Sequence, residues 1–140
     1  MAYRSGSSAP ARIIAIDDSQ QSLWILEAVL VRAGFQVSTL SDTATVFSRV
    51  FAERPDAILC DVLMPGLTGP ALMQMLRKVE LGRRTPILLW SALPEPELAD
   101  LAERCGADGY ILKSAPEGVI VERIRSALSR AVAAHQPERP

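Results

Sequence analysis

The chain has 140 residues, a formal net charge of -1, and a composition that is 49% hydrophobic and only 5% aromatic. That length bounds it to one domain. The apolar fraction excludes a disordered chain, and the near-zero charge argues against a general nucleic-acid binder. With so few aromatics, Ile, Leu, Val and Ala must build the core.

The elements follow in chain order. Residues 1–10 are small and polar and read as a disordered tail. Arg12 to Ile16, RIIAI, is a buried strand that runs into Asp17-Asp18-Ser19, three good cap residues. A helix is expected from Gln20 to Ala33, with Ile25, Leu26, Val29, Leu30 and Ala33 as its core face and Gly34 as its C′ glycine. Helix one carries a second apolar set, Trp24, Ala28 and Val31 with Leu23 beside it, directed away from the sheet. Phe35 to Leu40 alternates and reads as a strand nearer the sheet edge.

Ser41 or Asp42 should cap a second helix over 43–53, with an apolar stripe at Ala44, Phe47, Val50 and Phe51. Ala57-Ile58-Leu59-Cys60 is apolar without alternation, the pattern of a strand buried on both faces. It ends at Asp61, and Pro65, Gly66 and Gly69 mark a loop. A third helix over 70–79 should bury Leu72, Met75 and Leu76. Gly82-Arg83-Arg84 is a polar link. Ile87 to Trp90 is the fourth strand, ending at Ser91. The fourth helix starts near Pro94 and Pro96, packs Leu98, Leu101, Ala102 and Cys105, and stops at Gly106. Gly109 to Leu112 is the fifth strand, ending at Lys113. The last helix, over 116–134, should bury Ile120, Ile124, Ala127 and Leu128, and residues 135–140 form a C-terminal tail.

Five βα units in succession predict an α/β fold: a doubly wound, five-stranded parallel sheet with helices on both faces and right-handed crossovers. The order 2-1-3-4-5 puts the first and third strands side by side at the switch point, and ligands bind at the carboxyl edge. Taken alone, Asp61 is an ordinary turn aspartate. Collected along that edge, however, the residues after the strands are Asp17 and Asp18, Asp61, Ser91 and Lys113, all on neighbouring strands. Three crowded carboxylates repel unless a cation intervenes. An all-oxygen set suits Mg²⁺, and Mn²⁺ fits by ligand type. A carboxylate can attack phosphorus to form an aspartyl phosphate, and a lysine supplies a point charge for phosphoryl oxygens.

These residues resemble the receiver domains of two-component response regulators, whose fold is flavodoxin-like. The similarity covers about Arg12 to Ala131. It rests on Asp17-Asp18, on Asp61 with Met64-Pro65 and Gly69, on Ser91-Ala92, and on Tyr110 three residues before Lys113. The resemblance implies that Asp61 is the phosphoacceptor and that Asp17, Asp18, Asp61 and the backbone carbonyl of Leu63 hold Mg²⁺. It further implies that Ser91 and Tyr110 form the switch pair and that Lys113 binds the phosphoryl group. The domain is then expected over residues 11–134 as a stand-alone, chemotaxis-regulator-like unit. Its partners would be a histidine kinase or phosphotransfer protein, docking through helix one at Trp24, and a downstream protein target.

Two departures stand out. Ser114 follows Lys113 where the family usually has proline, and Leu63 places an apolar side chain two residues after the acceptor.

Two other readings compete. A haloacid-dehalogenase-type phosphatase needs an acid two residues after its nucleophile, but Ser19 and Leu63 occupy those positions. A receiver-fold module that signals without phosphate is compatible with the fold, but here every group of the acceptor chemistry is present. No apolar run reaches a membrane span, and the start of the chain has no signal-peptide segment. Cys60 and Cys105 match no metal or redox spacing. A cytoplasmic protein that binds neither membrane nor nucleic acid is therefore expected. Arg123, Arg125 and Arg130 read as a solvated helix face rather than a patch for an acidic partner, and Trp90 reads as a core or rim aromatic.

Overall fold

The structure is a computed structural model that describes residues 9–64, 67–79 and 85–134. Residues 1–8 of the expected tail at 1–10, the expected tail at 135–140, the loop residues Pro65 and Gly66, and the link Gly82-Arg83-Arg84 lie outside the described residues. The order is β1 (Arg12–Ile16), α1 (Gln20–Arg32), β2 (Gln36–Leu40), α2 (Val46–Glu53), β3 (Ala57–Asp61), β4 (Leu63–Met64), β5 (Leu67–Thr68), α3 (Gly69–Val79), β6 (Ile87–Ser91), α4 (Glu95–Cys105), β7 (Gly109–Leu112) and α5 (Glu117–Ala134).

The main sheet is parallel with the order β2-β1-β3-β6-β7. Counted by its own five strands, that is the expected 2-1-3-4-5. One addition was not foreseen: β4 and β5 form a two-residue antiparallel ladder after β3.

Strand pleating sorts the core into two layers, because successive side chains face opposite sides of a sheet. Ile13, Ala15, Ala57, Leu59, Leu88, Trp90 and Ile111 meet α1 and α5 on one face. Ile14, Ile16, Ile58, Cys60 and Ile87 meet α2 and α3 on the other, where Leu89 packs with Leu98 and Ala102 of α4.

Helix α1 begins at Ser19, whose Oγ accepts from the Ser22 N–H. It ends in a Schellman motif: Gly34 at φ +97° donates to Val31 O, and Phe35 donates to Leu30 O. In the sheet, Gly109 suits a close approach: a Cβ there would stand 2.7 Å from Leu88 Cδ2 and force that side chain to shift.

Four expected core positions change. In α1 the buried residues are Leu23, Leu26, Val29 and Leu30, whereas Ile25 is 58% exposed. In α3 Met73 is buried and Met75 exposed, a rotation of the same kind. Helix α2 is shorter than expected. It starts at Val46 after Thr45, Asp42 instead caps a turn by accepting from the Ala44 N–H, and only Val46 is buried while Phe51 and Ala44 face solvent. The arginines of α5 are not merely a solvated face. Arg123, Arg125 and Arg130 donate to the carbonyls of Tyr110, Ala33 and Asp108 and pin the helix to its neighbours.

The phase of α1 is testable. Leu23→Ala should cost about 2–4 kcal/mol in urea unfolding and Ile25→Ala less than about 1 kcal/mol, because only the first leaves a cavity in a closed core. Equal costs would show that the helix is rotated from this arrangement.

Candidate functional site

The carboxyl edge of the sheet gathers what the strands deliver. Asp61 is the last residue of β3 and Ser91 the last of β6, while Asp17 follows β1 and Lys113 follows β7. Asp17, Ser91 and Asp61 are buried and Asp18 is exposed. Carboxylate oxygens of Asp17, Asp18 and Asp61 all lie within 4.8 Å of one another. Lys113 reaches in from β7, with Nζ 2.7 Å from Asp17 Oδ2 and 3.8 Å from Asp61 Oδ2.

Each group is held by local structure. Asp17 Oδ1 accepts the Ser19 N–H at 2.9 Å, an Asx turn that leads into the α1 cap. Asp17 Oδ2 accepts the Trp90 indole N–H at 3.0 Å. The Leu63 N–H points to Asp61 Oδ1 at 3.4 Å, and the Leu63 side chain is 63% exposed. Ser91 Oγ accepts the Leu93 N–H at 3.0 Å, and Ser91 O accepts the Lys113 N–H at 2.8 Å. No cis peptide occurs among the described residues, so the Lys113–Ser114 bond is trans.

Tyr110 lies apart from the acidic cluster. Its hydroxyl donates to Glu95 Oε2 at 2.9 Å, and the Arg123 guanidinium stands 5.0 Å from the ring centre. The contribution that sequence reasoning missed is Trp90. It is indeed a core aromatic, but its indole nitrogen also serves the site.

The electrostatics follow from crowding. Burial alone would raise the Asp17 carboxyl, but Lys113 and the Ser19 N–H outweigh it and hold the pKa below the ordinary value. Asp61 goes the other way. Burial first, then the charge of Asp17, push its pKa up to about 6, and Lys113 offsets this only in part. Burial, with Asp61 nearby, also pushes the Cys60 thiol up to about 12, so it is inert at neutral pH.

The profile of the response regulator receiver domain family matches residues 13–125. The chain belongs to that family. Protein RcaC of Microchaete diplosiphon is 34% identical over 121 residues, 86% of this chain and 19% of RcaC. The transcriptional regulatory protein PrrA of Mycobacterium leprae is 32% identical over 126 residues, 90% of this chain and 53% of PrrA. The chain thus spans between a fifth and about half of these relatives. Among solved structures, the chemotaxis protein CheY4 of Vibrio cholerae superposes with a TM-score of 0.77 at 27% identity, over 85% of this chain and 99% of that one.

Receiver domains are signalling modules of two-component systems rather than ordinary enzymes, and they bind Mg²⁺ in an acidic pocket. Here the Asp17, Asp18 and Asp61 oxygens form such a pocket, and their number and hardness fit that ion. No helix among the described residues is long and apolar enough to cross a membrane.

The raised Asp61 pKa makes a stability prediction for this receiver. The folded carboxyl holds its proton more tightly than an unfolded one, so ionisation favours the unfolded chain as pH rises from about 4 through about 6. In metal-free buffer at pH 8, Asp61→Asn should therefore be more stable than wild type by on the order of 2 kcal/mol. The gap should close toward pH 4. Thermal unfolding of both proteins across that range checks it, and a gap independent of pH would contradict the cause.

Proposed function

We propose that this chain is a phosphorylation-dependent switch in which Asp61 accepts a phosphoryl group from a histidine kinase or phosphotransfer protein. The observation that carries this reading is the placement of Asp61. It is a buried carboxylate ending a central strand, with two more carboxylates within 4.8 Å and an ammonium 3.8 Å away. A carboxylate oxygen of Asp61 attacks phosphorus, an O–P bond forms, and the P–N bond of a phosphohistidine donor breaks with its electron pair going to the imidazole. Lys113 offers its charge to the phosphoryl oxygens once it leaves Asp17. Asp17, Asp18, Asp61 and the backbone carbonyl of Leu63 are the groups that would hold Mg²⁺, with Mn²⁺ also suited by ligand type. A bound divalent ion supplies positive charge against the phosphoryl oxygens. In this reading the chain assists its own phosphorylation and dephosphorylation, and residues 11–134 form the working domain, flanked by tails at 1–10 and 135–140.

The readout uses Ser91 and Tyr110. Both have contacts to give up: the Ser91 hydroxyl holds the Leu93 N–H, and the Tyr110 hydroxyl holds Glu95. A phosphoryl group at Asp61 offers the hydroxyl a stronger, charged acceptor, and the ring then moves inward toward the space the serine vacates. A downstream protein target would read that rearrangement, in a cytoplasmic setting. Acetyl phosphate with Mg²⁺ should add one phosphoryl group to wild type by intact mass and none to Asp61→Asn. An unlabelled wild type would favour a receiver-fold module that signals without phosphate.

Helix α1 supplies the docking face in this reading. Trp24, 64% exposed, lies with Ile25, Ala28 and Val31 on a solvent-facing apolar strip. An exposed Trp in such a strip is the kind of residue that dominates a protein interface, worth about 2 kcal/mol or more. Trp24→Ala should slow phosphotransfer from the cognate kinase by on the order of tenfold and leave acetyl-phosphate labelling unchanged. Equal loss with both donors would make Trp24 structural.

A further inference from the structure

Trp90 is buried to 3% exposure in the α1/α5 core layer, and it alone among that layer's sheet residues brings a polar side-chain atom into the apolar packing. A buried indole N–H needs an acceptor, and Trp90 finds Asp17 Oδ2 at 3.0 Å. The two residues sit at the ends of strands flanking β3, and Trp90 is the register partner of Asp61.

A carboxylate has about four acceptor positions. On Asp17, the Ser19 N–H takes one on Oδ1, while Trp90 Nε1 and Lys113 Nζ take two on Oδ2. Two of these donors are fixed: one is backbone, and the other is a ring clamped in the core. The third sits on a flexible side chain, 21% exposed, that already leans toward Asp61.

We propose that Trp90 is a positioning residue for the acidic pocket: its indole N–H fixes the plane of the Asp17 carboxylate, so that displacing Lys113 opens one defined oxygen position to a divalent cation. This rests on the reading of Asp17, Asp18 and Asp61 as the Mg²⁺ site. Donors that orient ligating carboxylates generally set metal affinity, and their loss weakens binding about 10- to 100-fold. A residue that only filled the core would change stability and leave affinity alone.

The test is Mg²⁺ titration of the unphosphorylated protein by calorimetry, for wild type and for Trp90→Phe, which keeps a ring and removes the N–H. The expected result is a dissociation constant about tenfold higher for the variant, with the fold retained. Equal affinity overturns the role of Trp90 and leaves the Mg²⁺ site standing, whereas a wild type that does not bind Mg²⁺ overturns both. A second measurement needs no fold-sensitive variant at this position. In ¹⁵N spectra of wild type, with Trp24→Phe identifying the other indole, the Trp90 Nε1–H resonance should shift on Mg²⁺ addition and remain slow to exchange. An indole signal indifferent to Mg²⁺ while the Asp61 and Leu63 amides respond would refute the proposal.

Discussion

Three carboxylates share one edge of the sheet within 4.8 Å, two of them buried, and among the described residues one lysine, Lys113, answers them. That imbalance governs the rest of the site. Lys113 lies nearer to Asp17 than to Asp61, so Asp17 keeps its charge while Asp61 is pushed toward its protonated form. Asp61 is thus a liability to the folded chain when no cation offsets its charge. The surrounding structure offsets that cost with a parallel sheet buried on both faces and hydrogen bonds of 2.9 and 3.0 Å to the aspartate that stays charged.

Much of this was legible because parallel strands impose a simple rule. Side chains alternate faces, so residues of one parity in β1, β3, β6 and β7 meet the same helices. Ile13, Ala15 and Asp17 share a parity, as do Ala57, Leu59 and Asp61, Leu88 and Trp90, and Ile111 and Lys113. The same phase that buries the α1/α5 layer therefore brings Asp17, Asp61, Trp90 and Lys113 together at the edge. Ser91 and Tyr110 have the other parity, which puts them on the α4 side, where Tyr110 packs with Leu89 and Leu98. The acidic cluster lies on one face of the sheet edge, and Ser91 and Tyr110 on the other, for the same geometric reason.

Helix phase was harder to read, and the cause is surplus rather than lack of signal. From Leu23 to Val31 every residue of α1 but Glu27 is apolar, so several faces satisfy helical spacing. The structure takes Leu23, Leu26 and Leu30, and leaves Ile25 and Trp24 outside. The same ambiguity exchanged Met75 for Met73. Helix α2 failed differently. Of its four expected apolar positions, Phe47 and Val50 pack against the core, but Ala44 and Phe51 face solvent, because the helix lies beside the edge strand β2, where Ser38 holds Glu53. The bond from Trp90 to Asp17 was not legible from spacing, because 73 residues separate the two and only the register of three strands joins them.

Aspartates at the opposite edge of the sheet meet different surroundings. At the amino edge, Asp56 accepts the Arg12 N–H at 2.8 Å, and Asp108 accepts the Ile87 N–H at 2.8 Å and the Arg77 guanidinium. Those carboxylates satisfy strand-initiating backbone donors. In sequence, Asp56 before β3 and Asp61 at its end look alike, each an aspartate bordering an apolar run. What separates them is direction. Parallel strands present orphan N–H groups at one edge and orphan carbonyls at the other. An aspartate at the amino edge therefore finds donors waiting and is neutralised by them. At the carboxyl edge the strands offer it carbonyls, acceptors like itself, and relief comes from loop N–H groups such as those of Ser19 and Leu63, from a side-chain cation or metal, or from a donor such as the Trp90 indole. The polarity of the sheet thus makes its carboxyl edge the place where acidic residues stay unsatisfied enough to bind something.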